Sequence, residues 1–393
     1  MWYNNSVNTD SVKTYKAYSF RLYPTKAQGT ALNAALSTLR HVYNSLLNER
    51  KFVYETTGKG ISQYEQEKHF AAWRKQFPEL KDVHSHLLQN AALRVNLAYA
   101  GFFRRVKAGE TPGYPRSKGE GQYDSIGFKE WGNGISLKRG NLVVSKIGEI
   151  KGKFHREIQG TPKTATIRRH GSKWFVCIAC ETPTEPLPLC TDAVGLDAGL
   201  NSFMALSNGE FIDNPRFFRR DEKAIVKAGR KQAKTKKRSV ERKKANKVLS
   251  RIHERIRNRR HDFVHQTARR LVNRYGVIAV EKLNVKGMVK NHCLAKSIAD
   301  ASWSMFRSVL TQKAESAARE VIAVNPAYTS QDCHACGYRA KKKLSERWHH
   351  CPMCSASLDR DTNAAINILN LALNKNHSGI TLCQVTPVEA PSL

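Results

Sequence analysis

The run from Asp192 to Ile212, DAVGLDAGLNSFMALSNGEFI, places an acid, Asp197, inside an apolar strand. The pattern around it reads as a strand, a tight glycine-containing segment, a second strand and a hairpin turn at Asn208 and Gly209. A carboxylate embedded in such a strand is costly to bury unless something pairs with it. What meets Asp197 therefore decides what the domain is for.

Two further acids hold comparable positions. In RRLVNRYGVIAVEKLNV, residues 269–285, the pattern predicts the end of a helix with Gly276 as its C-cap, then a buried strand, VIAV, with Glu281 where that strand emerges. Strand ends of open α/β sheets are where ligands bind. In SLDRDTNAAINILNLAL, residues 357–373, Ala365, Ile366, Leu369 and Leu373 follow helical spacing and DRDTN supplies the start signals. Asp359 reads as the cap, and Asp361 sits in the first turn, where the helix dipole favours a negative charge.

Taken singly, Asp361 could be a cap and Glu281 a surface residue; the conjunction of the three acids is what carries meaning. Three anionic oxygen donors from two strands and a helix suit a hard cation, Mg²⁺ or Mn²⁺. With a phosphodiester substrate, two such ions roughly 4 Å apart activate a water and stabilise the leaving oxygen.

Immediately before the third acid lie two CxxC pairs, Cys333 with Cys336 and Cys351 with Cys354. Four thiolates close a tetrahedral shell around Zn²⁺ and leave no open position, which makes the site structural. His334, His349 and His350 are nearby alternatives as ligands, but the cysteines suffice. Cys177 and Cys180 also stand three apart, in WFVCIACE; a strand points them to opposite faces, so they read as core thiols.

The 393 residues carry 66 Lys and Arg against 33 Asp and Glu, a formal charge of +33, for which a polyphosphate is the natural counter-charge. No window of ~18 apolar residues and no secretory leader pattern is present, so a soluble intracellular protein is expected, with no membrane partner. Nine cysteines make an odd count for a disulfide framework.

The chain resembles the TnpB family of transposon-encoded RNA-guided nucleases, related to type V CRISPR effectors. The resemblance runs collinearly through YKAYSFRLYPTKAQ, HVYNSLL, LLQNAAL, GYPR, VGLDAGL, RIHERIRNRRHDFVHQ, VEKLNVKGM, KSIADASWSMF, NPAYTSQDCHACG and LDRDTNAAINIL. It implies an α+β multidomain protein. Residues 1–40 and 111–190 would form a β-barrel wedge domain with residues 41–110 as a helical recognition insertion. Residues 191–327 and 357–375 would form a RuvC nuclease domain of RNase H fold, and residues 328–356 an inserted zinc ribbon. Residues 376–393 read as a mobile tail.

The resemblance further implies Asp197, Glu281 and Asp361 as catalytic acids holding two Mg²⁺ ions, a transposon-derived guide RNA, a double-stranded DNA target, and a prokaryotic cytoplasm with nucleoid association. Gln89 in LLQN resembles a family position near the flanking motif, and glutamine can pair with an adenine edge; Lys129, between Phe128 and Trp131, is a second candidate base reader. Where the family commonly has a larger apolar residue, this chain has Ala198.

Elsewhere the pattern predicts a strand at Tyr18, Phe20 and Leu22, two amphipathic helical runs broken at Phe77-Pro78, and Gly-turned hairpins over residues 134–148 and 164–181. Between Asp197 and Glu281 a densely basic helical run carries an apolar stripe of Leu249, Ile252, Ile256 and Phe263; one-signed charge of this density reads as a phosphate-binding surface. Two other readings share these features: a non-catalytic nucleic-acid-binding protein, such as an RNA-guided repressor or an RNA chaperone, and a transposase that joins DNA ends.

Overall fold

The computed structural model describes residues 13–183, 186–341 and 346–376; of the expected mobile tail all but Asn376, the last residue of a helix, lies outside them. The chain divides into two compact units, Met1–Pro183 and Thr184–Leu393.

In the first unit, β1 (Lys13–Tyr23) is followed by α1 (Lys26–Thr57), α2 (Gln63–Gln76), a short 3₁₀ turn (Pro78–Lys81) and α3 (Ser85–Lys107). Six strands follow: β2 (Ser125–Phe128), β3 (Ile135–Lys138), β4 (Asn141–Val144), β5 (Gly148–Lys153), β6 (Thr161–His170) and β7 (Lys173–Pro183). They join β1 in an antiparallel sheet of order β2-β6-β7-β1-β5-β4-β3, a nearly closed barrel. Alternation in β1 turns Tyr18, Phe20 and Leu22 into the core, each at most 2 % exposed. Burial of this kind stabilises by roughly 1.5–3 kcal/mol per large apolar side chain. Arg139 and Gly140, both at positive φ, make the two-residue β3–β4 turn.

The helical segment departs from the sequence pattern in one respect. Three helices form, not two, and the additional one, α2, buries only Gln66 and Phe70. Its Gln66 is held by polar contacts: Arg50 Nε donates to Gln66 Oε1 at 2.7 Å, and Gln66 Nε2 donates to the Leu46 carbonyl at 2.8 Å. Capping boxes at Thr25 with Gln28 and at Ser62 with Glu65 fix where α1 and α2 begin.

The second unit opens with β8 (Ala193–Ala198), β9 (Ser202–Leu206) and β10 (Phe211–Asp213), then α4 (Phe217–Ala233) and α5 (Val240–Arg274). β11 (Val277–Glu281), α6 (Val285–Met288), α7 (Ala295–Ala301), α8 (Trp303–Ser316) and β12 (Glu320–Val324) follow. Last come β13 (Trp348–His350), β14 (Ser357–Asp359) and α9 (Arg360–Asn376). The five-stranded sheet has the order β10-β9-β8-β11-β12: an antiparallel meander on one side, and β11 parallel to both β8 and β12 on the other.

The hairpin after β9 turns as expected, in a three-residue form. Gly209 N bonds to the Leu206 carbonyl, Leu206 N bonds to the Glu210 carbonyl, and only Gly209 takes positive φ. Gly276 is not a left-handed cap. The helix ends on Tyr275 in extended backbone, and a Cβ at Gly276 would overlap the Cys190 carbonyl oxygen. That glycine serves a close chain crossing.

Candidate functional site

Register sets the first two acids side by side. Leu196 pairs with Val280 in the parallel β8–β11 ladder, so Asp197 and Glu281 follow on adjacent strands, about 4.8 Å apart, at their carboxyl ends. Helix α9 supplies the third. At Gly195 a Cβ would collide with the Ala365 carbonyl oxygen, so the missing side chain lets α9 lie directly on β8. Asp361, one turn before Ala365, is thereby carried to the same sheet end; its Oδ2 stands 4.0 Å from the Cβ position of Gly199 in the turn after β8.

Asp359 starts that helix, accepting hydrogen bonds from the backbone N of Asp361 at 2.8 Å and of Thr362 at 3.1 Å. The apolar face is centred on Ala365, Ile368, Leu369 and Ala372, leaving Ile366 half-buried to one side.

The electrostatics follow from burial. Asp197 is 8 % exposed; desolvation, then the charges of Glu281 and Asp361, hold its carboxyl well above the usual range, with Arg360 opposing. Burial pushes Glu281 up to about 7 against the hydrogen bond it accepts from Thr329 Oγ1 at 3.1 Å. Asp361 Oδ1 accepts from Arg360 Nε and Nη2 at 3.1 and 3.0 Å, and Arg347 lies 3.7 Å from Oδ2. A buried and a half-buried carboxylate that resist ionisation, with a third beside them, form an oxygen-donor set that a hard divalent cation relieves. The chemistry of the donors fits Mg²⁺.

The four cysteines form a tighter cluster. Their sulfurs all lie within 4.8 Å of one another, with Cys333 to Cys354 at 3.6 Å and Cys336 to Cys351 at 3.5 Å. Thiolates about 2.3 Å from a tetrahedral zinc would stand roughly 3.8 Å apart, so the set fits Zn²⁺. Desolvation works against ionisation of Cys351, but the backbone N–H groups of Cys354 and Met353 bring its thiol down to about 6. His334 faces Asn363, with Nδ1 3.1 Å from Asn363 Oδ1. The ribbon pair β13–β14 matches Trp348 to Asp359, so its second strand runs straight into α9. Cys177 and Cys180 lie on β7 as expected, half-buried and buried.

The basic run folds as a helical hairpin: Asp221 of α4 pairs with Arg255 and Arg259 of α5, while Gln232 meets Asn246. Along α4, Arg219, Lys223, Lys227, Arg230 and Lys234 line an open groove. Positions four apart advance about 6 Å along a helix. A second basic hollow joins Gln266, Arg269, Arg270 and Asn273 of α5 to Lys313 of α8.

The two candidate base readers fall in the first unit. Gln89 is half-buried on α3; Lys129 follows β2 and lies 3.6 Å from Glu67 of α2. Their elements touch, since a Cβ at Gly127 would meet the Asn90 side chain. Sequence patterns did not single out Thr329, Asn363 or Asn367, polar residues buried or half-buried where the segment before the ribbon meets α9; NPAYTSQDC has no periodicity that marks Thr329, and the apolar spacing of α9 passes over the two asparagines.

Among the described residues no helix is long and apolar enough to cross a membrane. Three family models match the chain: "Probable transposase" over residues 175–292, "Cas12f1-like, TNB domain" over 303–368, and "Helix-turn-helix domain" over 14–59. The last segment folds here as β1 and one continuous helix, α1. A Streptomyces pristinaespiralis protein named "Putative RNA-guided DNA endonuclease" is 34% identical over 93% of this chain and 91% of its own length. Escherichia coli K12 InsQ, of the same description, is 28% identical over 91% and 92%. Among solved structures, a Cas12f1 chain from a complex with sgRNA and target DNA superposes with a TM-score of 0.58 at 13% identity, over 91% of this chain and 99% of that one, a likeness of fold. Similarity of this extent to the Streptomyces protein, together with the family models, makes the chain a member of the TnpB family.

Proposed function

We propose that the protein is a transposon-encoded RNA-guided DNA endonuclease in which residues 191–327 and 357–375 make up a RuvC-type nuclease domain of RNase H fold. The single observation that carries this is the meeting of Asp197, Glu281 and Asp361 at one end of the β10-β9-β8-β11-β12 sheet. The names of the relatives point to the same activity.

In this reading the three acids hold two Mg²⁺ ions. Bound Mg²⁺ supplies an activated water and charge neutralisation at the leaving oxygen. The chain's own part is positional. Strand register places Asp197 and Glu281 side by side, and the burial of Asp197 would strengthen its pull on a cation. Asp361, ion-paired here with Arg360 and Arg347, would be the third ligand. The Cys333, Cys336, Cys351 and Cys354 ribbon holds structural Zn²⁺.

A guide RNA pairs with one strand of the DNA target, and the basic hairpin α4–α5 grips phosphate without reading sequence. The β1–β7 barrel and the helices α1–α3 act as wedge and recognition parts, with Gln89 and Lys129 at the flanking motif. Lys129 leaves Glu67 to do so. The protein works in a prokaryotic cytoplasm, at the nucleoid.

The test is to purify the protein from cells carrying its locus, sequence the RNA that co-purifies, and assay cleavage of a matched duplex with Mg²⁺ or EDTA. One RNA species with metal-dependent cutting supports the reading. Heterogeneous RNA with no cutting supports the non-catalytic alternative, and strand transfer of transposon ends supports a transposase.

A further inference from the structure

Glu281 stands at the free end of a strand, and a glutamate there has three side-chain torsions to fix before its carboxylate points anywhere useful. Among the described residues, the group that meets it is Thr329, 3 % exposed, whose hydroxyl lies 3.1 Å from Glu281 Oε1. The hydroxyl has a second acceptor, the Pro326 carbonyl at 3.1 Å, but a bond to a carboxylate is charge-assisted and stronger.

Thr329 is itself anchored. Asn367 Nδ2 donates to the Thr329 carbonyl at 2.9 Å and to the Asp332 carbonyl at 2.7 Å. One turn earlier on α9, Asn363 is fully buried; its Nδ2 donates to the Asp332 carbonyl at 2.8 Å and its Oδ1 accepts from His334 N at 3.0 Å. The clasped segment, residues 329–334, contains the zinc ligand Cys333. It is held by the helix whose first turn carries Asp361, two residues before Asn363. One short segment therefore touches Glu281 through a side chain and the Asp361 helix through its backbone.

We infer that Thr329 is a positioning residue for the nuclease reaction: its hydroxyl orients Glu281 towards the metal, and its carbonyl, held by Asn367, locks that orientation to the helix bearing Asp361. The inference rests on the reading of these acids as the nuclease centre. The zinc knuckle buttresses the lock, so an insertion that would otherwise only interrupt the domain fixes the relative placement of two acids 80 residues apart in sequence. Partners of this kind, one bond removed from a metal, typically change affinity or activity by about 10- to 100-fold when lost.

The experiment compares Thr329→Val, which keeps the shape and loses the hydroxyl, with Thr329→Ser, which keeps the hydroxyl, both in the guide-loaded complex. Mn²⁺ binding is read by electron paramagnetic resonance, alongside cleavage at saturating Mg²⁺, target affinity and melting temperature. The expected result is a Mn²⁺ midpoint raised, and cleavage slowed, by about 10- to 100-fold in Thr329→Val, with target affinity kept and both losses largely restored in Thr329→Ser. Wild-type metal binding and cleavage in Thr329→Val would overturn the inference. So would equal losses in both variants tracking a fall in melting temperature, which is the signature of packing alone. Asp197→Asn serves as the reference. If that variant binds Mn²⁺ and cleaves like the wild type, the nuclease-centre reading fails and the inference falls with it, without any bearing on the Thr329 geometry.

Discussion

Gly195 and Ala365 are in backbone contact: the place where a Cβ of Gly195 would stand is taken by the Ala365 carbonyl oxygen. Through that contact a helix from the end of the chain reaches the strand that carries Asp197. Gly195→Ala is expected to cost about 1–3 kcal/mol through overpacking. Cleavage should fall further, by about 100-fold, because Asp361 rides on the displaced helix. Denaturant unfolding and single-turnover cleavage, measured on the same variant, separate the two effects.

Asp197 is held unfavourably in the absence of a cation, by burial and by two neighbouring carboxylates. Asp197→Asn removes the charge and keeps the shape, so the metal-free protein should gain stability, about 2–4 °C in melting temperature for each kcal/mol relieved. Thermal melting in EDTA checks this. The gain should shrink or reverse when Mg²⁺ is added.

Glu281 carries the same logic into pH. Its folded pKa, about 7, lies above that of an unfolded glutamate, so between about pH 4.5 and 7 the folded state binds the extra proton. The stability this contributes is present at low pH and is lost as pH rises through about 7. Melting in EDTA should therefore fall across that window, Glu281→Gln should flatten the fall, and divalent cations should offset it.

The strands bearing Asp197 and Glu281, and the capped helix of Asp361, were legible because apolar runs broken by an acid are local patterns. So were the two CxxC pairs. Helix α2 escaped because its inward face is mostly polar: Gln66 is buried on Arg50 and the Leu46 carbonyl, partners 16 and 20 residues away, and amphipathic periodicity registers only apolar faces. Gly276 was misread for a related reason. A glycine after a helix resembles a C-cap, and nothing nearby announces that Cys190, 86 residues earlier, crosses there. Thr329 and the two asparagines gain their roles from contacts across 29 to 48 residues, which no spacing encodes.

Removal of zinc should act on the nuclease centre as well as on the ribbon. Cys336→Ser, or chelation strong enough to strip the four thiolates, is expected to unfold residues 329–356 and to lower cleavage by at least about 10-fold while guide binding persists. Zinc content by mass spectrometry, limited proteolysis of the ribbon and cleavage rate should change together.

The basic face of α4 makes a prediction about salt. Replacing Lys223, Lys227 and Arg230 with Gln should weaken nucleic-acid binding for matched and unmatched sequences alike. The slope of log affinity against log salt should become shallower by roughly 2 to 3 if all three contact phosphate. Binding titrations at several salt concentrations measure it.

The central claim is that Asp197, Glu281 and Asp361 form one metal-dependent nuclease centre. Its most direct test is cleavage of a guide-matched duplex by Asp197→Asn, Glu281→Gln and Asp361→Asn complexes in Mg²⁺, with target binding measured beside it. The account predicts that each variant binds guide and target as the wild type does and cuts at least about 1,000-fold more slowly, the loss of several kcal/mol of transition-state stabilisation. Undiminished cutting by any one of the three would contradict it.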